Sequence, residues 1–228
     1  MPGDRLDRLV ECATKVFIRQ GYKRTQMADV AAALGVAKGT LYLYVESKEA
    51  LFYLVIRSID GRAPFDGPPE LPIPTPKPAE VQRYAERLIS SGGEMPRLAA
   101  ALAAKNVDDP RAELEGVIRE VYATVSANRF GIKLIDMCAR DYPELAELWF
   151  EQGRVQLLDL LDAYIGGRIE QGIFRPVPDV RVAARLLLET IAFWAVHRHW
   201  DPYPQLIDES VAEDTVVRFG VDALVSDS

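Results

Sequence analysis

Between residues 38 and 44 the chain sets an ammonium and three hydroxyls, on Lys38, Thr40, Tyr42 and Tyr44, around Gly39 and Leu43. None of these groups is a nucleophile paired with a base, so their chemistry is that of contact. An ammonium donates to guanine O6 or N7, a hydroxyl serves a base edge or a phosphate, a leucine meets a thymine methyl, and a glycine lets a backbone approach. Helical spacing turns Leu41 and Val45 inward and leaves Lys38, Gly39, Thr40, Leu43 and Tyr44 outside. Lys38 is the expected base reader, with a hydroxyl contact from Thr40 and a methyl contact from Leu43. Tyr42, Tyr44, Lys48 and Thr25 are expected to hold phosphates, and Gln26 and Ala37 complete the DNA-facing set.

Other reactive side chains do not assemble into a catalytic pattern. His197 and His199 are the only histidines, and on an ideal helix they point about 200° apart, which suits a helix-terminal pair and not a shared metal. Cys12 and Cys138 lack the spacing of a metal site and read as small core residues. The acidic pairs Asp108-Asp109 and Glu144–Glu147 sit near helix starts, where they meet the positive end of the helix dipole. The sequence has no Gly-rich phosphate loop, nucleophile elbow or zinc-helix signature. Neither an enzyme, a cofactor nor a metal is expected.

The DNA-facing residues need elements to present them. Thr25 is expected to cap a first short helix whose positive end lies near Asp29 and whose packed face is Ala28, Ala31 and Leu34. Gly35 ends it with a left-handed residue, and the chain turns through Val36 into the second helix. Leu6, Val10, Ala13 and Phe17 form the stripe of a supporting helix that stops at Gly21, and Ser47-Lys48-Glu49 opens another containing Leu51, Leu54 and Val55. This is the pattern of a helix-turn-helix.

Ala13, Phe17, Gly21-Tyr22, Thr25, Val30-Ala31, Gly35-Val36, Lys38-Gly39, Leu41-Tyr42, Tyr44 and Ser47-Lys48-Glu49-Ala50-Leu51 resemble, in order and without gaps, the N-terminal domain of the TetR family of transcriptional regulators. The resemblance covers about the first quarter of the chain. Two positions depart from it, since the family often has Ser where Ala37 stands and Phe where Val45 stands. Losing that Ser removes a helix cap worth about 0.5–2 kcal/mol in comparable cases, and any phosphate contact made through its hydroxyl.

Net charge is −7 overall, but residues 1–62 carry +3 and the remainder −10, so the basic part coincides with the helix-turn-helix. With 49% hydrophobic residues the chain can bury a substantial core. No apolar run is long enough to span a membrane, and the N-terminus leads into an amphipathic helix instead of a signal-peptide core, which makes a cytoplasmic protein the expectation.

The fold class expected is all-α, an N-terminal three-helix domain followed by a helical ligand-sensing and dimerisation domain. The boundaries are 1–62 for the DNA-binding domain, 63–79 for a connector and 80–228 for the sensor. Pro64, Pro68, Pro69, Pro72, Pro74, Pro76 and Pro78 exclude a continuous helix from the connector, which reads as a stiff surface loop. The family's connection is usually shorter. Beyond it the 3.6-residue period continues: one long helix from Leu114 can run through Leu134 and Met137, another runs from near Glu144 to Ile165, and Gly172 and Pro176 stop it. The Tyr-Pro-Glu-Leu break between them is weakly similar to one TetR subgroup.

Tyr122, Phe130, Met137, Trp149, Phe150 and Trp194 are suited to a mostly apolar ligand pocket. Asp179 is placed to cap a helix apolar nearly all round, and a last helix follows Asp201-Pro202-Tyr203-Pro204. Leu187, Ile191, Val217, Val221 and Leu224 are the expected dimer contacts, in the four-helix interface that the resemblance implies. Its partners would be double-stranded operator DNA, a second copy of the chain and a small-molecule effector, with no membrane. The competing reading is a ligand-independent DNA-binding module whose acidic helical domain docks another protein.

Overall fold

The computed structural model describes residues 2–58, 69–77, 80, 83–84, 95–141, 153–204 and 206–226. Among them the regular elements are helical, apart from one parallel bridge between Val45 and Ile73. The chain forms two compact units, one from residues 1–91 and 130–152, the other from 92–129 and 153–228.

In the N-terminal unit α1 (Pro2–Gln20) buries Leu9, Ala13, Val16 and Phe17, and α4 (Lys48–Ser58) buries Leu51, Phe52, Leu54 and Val55. Phe17 meets Phe52 edge-on at 5.1 Å, and Tyr22 closes the cluster 4.8 Å from Phe52. α2 (Met27–Leu34) differs from expectation at its start. Thr25 lies one residue too early to cap it; its side chain is buried and its hydroxyl donates to the Gly21 carbonyl at 2.7 Å. Gln26 occupies the cap position, its N–H donating to the Asp29 carboxylate at 2.9 Å. The buried face is Met27, Val30 and Ala31, with Ala28 exposed, because the larger apolar groups remove more area from water than Ala28 can. Gly35 ends the helix at φ +75°, and the Val36 N–H closes the turn on the Ala31 carbonyl at 3.0 Å.

The long helix expected from Leu114 breaks in two at Asn128, which separates α6 (Pro110–Ala127) from α7 (Arg129–Cys138). The Asn128 side chain donates to the Thr124 carbonyl, competing for the helix's own acceptors. By compactness, the described residues 130–141 group with the N-terminal unit and residues 95–129 with the second. Cys138 Sγ lies 4.0 Å from the Phe17 carbonyl and the Lys23 N–H donates to Asp141 at 2.9 Å. Burial, with Asp141 nearby, pushes the Cys138 thiol up to about 12, which leaves it inert. Gly21 is needed twice here: its φ is +77°, and a Cβ would stand 3.2 Å from Asp141 Oδ2 and 3.3 Å from the Met137 carbonyl.

The second unit contains α5 (Pro96–Ala103), α6, α8 (Arg154–Glu170), α9 (Val180–Ala195) and α10 (Glu209–Leu224). Asp109 caps α6 and Asp179 caps α9, each accepting an N–H three residues on. Gly172, at φ +73°, ends α8 as read from the sequence. Arg168 is buried but fully used: Nε and Nη2 donate to the two Glu113 oxygens at 2.8 and 2.9 Å, and the guanidinium also reaches the Ala101 and Ala104 carbonyls at the end of α5. A buried charge is tolerable only when paired in this way. A Cβ on Gly220 would meet Ile118 Cδ1 at 2.7 Å and Leu187 Cδ1 at 3.0 Å, so α10 reaches α6 and α9 at close range.

Candidate nucleic-acid interface

α3 (Lys38–Leu41) is a single turn. Ala37 at its cap has no side-chain acceptor, and the helix is held by the Thr40 N–H on the Ala37 carbonyl at 2.9 Å. Beyond Leu41 the chain tightens, with Leu43 bonding back to Thr40 and Tyr44 to Leu41, so the segment is one α-turn plus a tight turn instead of a helix to Tyr44. Leu41 and Val45 are fully buried, as their spacing required. Lys38, Gly39, Tyr42 and Leu43 are exposed, Leu43 to 66%, while Thr40 and Tyr44 are half-buried.

Two expected phosphate holders have other occupations. Thr25 is sealed in the core. Lys48 donates from Nζ to the Tyr22 carbonyl at 3.1 Å and sits 4.5 Å above the Tyr22 ring, which makes it a strut between α4 and the turn after α1. Gln26 is exposed at the start of α2.

The expected connector is more than a surface loop in its described part. Ile73 is buried, its N–H donates to the Tyr44 carbonyl at 2.8 Å, and its carbonyl accepts from the Glu46 N–H at 3.0 Å. Thr75 donates from its backbone to Glu46 Oε2 and from its hydroxyl to Ser47 Oγ, both at 2.8 Å.

The six expected ligand residues do not form one described group. Phe130 and Met137 belong to the N-terminal unit, Phe130 exposed and Met137 with its carbonyl against Gly21. Tyr122 and Trp194 belong to the second unit, and Trp149 and Phe150 lie outside the described residues. Tyr122 is buried and donates to Glu209 Oε1 at 3.1 Å; burial and then the Glu209 charge raise its pKa. Glu209 also accepts from Arg198 at 2.6 Å and Arg129 at 3.2 Å, and these partners hold its pKa low despite burial. His199, in the tight turn His197–Trp200 that follows α9, completes this cluster with Nε2 2.8 Å from Arg129 Nη1. Sequence spacing carried no signal that Arg129, Arg198, His199 and Glu209 would meet.

The expected dimer residues face into the subunit. Leu187, Ile191, Val217, Val221 and Leu224 are all buried within the subunit. The apolar groups left outside on the same helices are Val182, Leu186 and Phe193 on α9 and Val211 and Phe219 on α10. Among the described residues no group of His, Cys, Asp and Glu is placed to hold a metal, and no helix is long and apolar enough to cross a membrane.

Residues 9–54 match the sequence model of the bacterial regulatory proteins of the tetR family. The uncharacterized HTH-type transcriptional regulator YhgD of Bacillus subtilis (strain 168) is 47% identical over 49 residues, 22% of this chain and 26% of its own, so the match spans about a quarter of that relative. Two solved structures share the architecture over nearly the whole length. The ketosteroid transcriptional regulator KstR2 of Mycobacterium tuberculosis superposes with a TM-score of 0.58 at 18% identity, covering 98% of this chain and 96% of that one. AibR, in complex with isovaleryl coenzyme A and operator DNA, gives 0.51 at 18% identity, covering 94% and 97%. At such identities the structures establish the fold alone. The helix-turn-helix of the N-terminal unit is thus the part of the chain that matches the tetR-family sequence model, and it is carried on an all-helical fold that these solved structures share.

Proposed function

We propose that the protein is a homodimeric repressor that seats α3 in the major groove of a palindromic operator and leaves it when a small, mostly apolar molecule binds the helical C-terminal unit. The observation that carries this reading is the two-sidedness of α3 and the turn after it, with Leu41 sealed and Lys38, Tyr42 and Leu43 presented to solvent. A Cβ on Gly39 would meet nothing within 4 Å, which leaves room for a base edge or phosphate. The subunit contact falls in this reading on the outer faces of α9 and α10, where Leu186, Phe193 and Phe219 remain exposed to 64%, 42% and 71%. A two-fold pair of heads reads two half-sites one helical turn apart. Because AibR is seen in complex with isovaleryl coenzyme A, compounds with a short branched apolar acyl chain are the first effectors to test, with the charged coenzyme A thioester as the comparison. An effector acts only by binding the released form more tightly than the bound one.

The test is to select duplexes from a randomised library with the wild-type protein and to measure Lys38→Ala and Lys48→Ala on the winner. A palindromic winner is expected. Lys38→Ala should lose roughly 1–3 kcal/mol and relax preference at one position of each half-site. Lys48→Ala, which removes a strut, should lower thermal stability and leave base preference unchanged. Unchanged preference in Lys38→Ala would remove that residue from the reading role, and failure to enrich any duplex would overturn the operator reading.

A further inference from the structure

We propose that the proline-rich strap of residues 72–76 is a working part of the reading head, and that Ile73 and Thr75 are positioning residues for α3. The inference rests on the operator reading above and concerns what holds α3 in place. α3 is a single turn with no side-chain cap at Ala37, so little within it fixes its orientation. The segment that leaves it, Tyr44 to Ser47, is gripped from outside instead. Ile73 bonds the Tyr44 carbonyl and the Glu46 N–H, and Thr75 bonds the Glu46 carboxylate and the Ser47 hydroxyl. That same Ser47 oxygen accepts the Ala50 N–H and so caps α4. One short strap therefore ties the end of the reading element to the start of the next helix.

The sequence of the strap, Pro72-Ile73-Pro74-Thr75-Pro76, is matched to this use. In an extended segment alternate residues face opposite ways. The two residues with N–H groups direct both of them at the head, while the prolines occupy the alternating positions and have no N–H to offer a further chain. Their fixed φ also lowers the entropy lost on docking. Ile73 adds a buried side chain that anchors the strap next to Val45. A head fixed before it meets DNA avoids ordering α3 on binding, and that is how preorganisation reaches affinity.

The experiment uses the intact protein and a duplex selected by the wild-type protein from a randomised library. Thr75→Pro removes both Thr75 hydrogen bonds while keeping an extended backbone, and Thr75→Ser restores them. Ile73→Ala withdraws the anchor. Operator affinity, thermal stability and hydrogen exchange at the Glu46 amide are read together. Thr75→Pro should weaken operator binding roughly tenfold with a melting temperature close to wild type, Thr75→Ser should recover it, and Glu46 exchange should rise in Ile73→Ala. Wild-type affinity in Thr75→Pro and Ile73→Ala, with the Glu46 amide exchanging freely, would overturn the positioning role and leave the operator reading intact. A wild-type protein that selects no duplex would overturn both.

Discussion

α3 and α9 each set a sealed leucine near an exposed one. At α3, Leu41 is buried and Leu43, in the turn that follows, stands out; in α9, Leu187 is buried and Leu186 stands out, at 7% and 64% exposure. The first pair was legible and the second was not, and the difference lies in contrast. Around α3 the polar stretch Lys38-Gly39-Thr40 separates Val36 from Leu41, and Leu41 and Val45 fall on one side at helical spacing with Leu43 off it. In α9 the run Leu186-Leu187-Leu188, with Ile191, Ala192, Phe193 and Trp194, leaves little polar circumference. A periodic pattern reports that such a helix is covered, without saying whether its own subunit or a second copy covers each face.

The largest expected effect tests that division directly. Leu187→Asp or Val221→Asp places an unpaired carboxylate inside the subunit, a penalty of several kcal/mol, and should abolish the cooperative melt. Leu186→Asp and Phe219→Asp put the same charge on the outer faces and should leave helicity and melting of the subunit intact while shifting sedimentation to the monomer. A folded, monomeric Leu187→Asp protein would reverse the assignment of faces.

Much of the N-terminal unit could be read because its signals are local. Gly35, the inward Leu41 and Val45 and the helix opening at Ser47 follow from neighbours a few residues away. What spacing did not announce are contacts in which a distant segment takes part. Lys48 reads as a free cation until Tyr22 is found beneath it, and the proline run reads as a loop until Ile73 is found against Val45. Thr25 shows the same failure at short range, since its hydroxyl is claimed by Gly21 and not by α2. The Arg129–Glu209 cluster was invisible because the two residues are far apart in sequence and meet only in the fold.

A glycine series sharpens the same contrast between local and distant causes. Gly35→Ala should cost about 1–2 kcal/mol, the penalty of a left-handed residue with a Cβ, because nothing else stands within 4 Å. Gly21→Ala should cost more than Gly35→Ala, for its φ is equally positive and its Cβ would also press on Asp141 and the Met137 carbonyl. Gly39→Ala, at ordinary φ and in open space inside a helix, should stabilise the free protein by roughly 0.5–1 kcal/mol. Denaturant midpoints give the order. Equal losses at Gly21 and Gly35 would mean that α7 and Asp141 impose nothing on the turn after α1.

The smallest effect probes the cluster that spacing could not announce. Arg129 can only donate, so His199 Nε2, 2.8 Å away, must accept with a lone pair and the imidazole must be neutral. Burial first, then Arg129 and Arg198, hold the His199 pKa below its ordinary 6.5, outweighing Glu209 Oε2 at 3.4 Å. On acidification the unfolded chain therefore takes up this proton before the folded one. Stability from His199 is complete above about pH 6.5 and declines as pH falls below that value until the folded pKa is passed. Glu209, also held low, loses its own contribution as pH falls through the carboxylate range, in wild type and variant alike. His199→Gln keeps an acceptor for Arg129 but has no proton to gain, so it should melt less steeply with acidification. The measurement is the melting-temperature difference between wild type and His199→Gln at about pH 7.5 and about pH 5.5. A difference that stays constant between those two conditions would show that His199 titrates alike in both states and that Arg129 places no constraint on it.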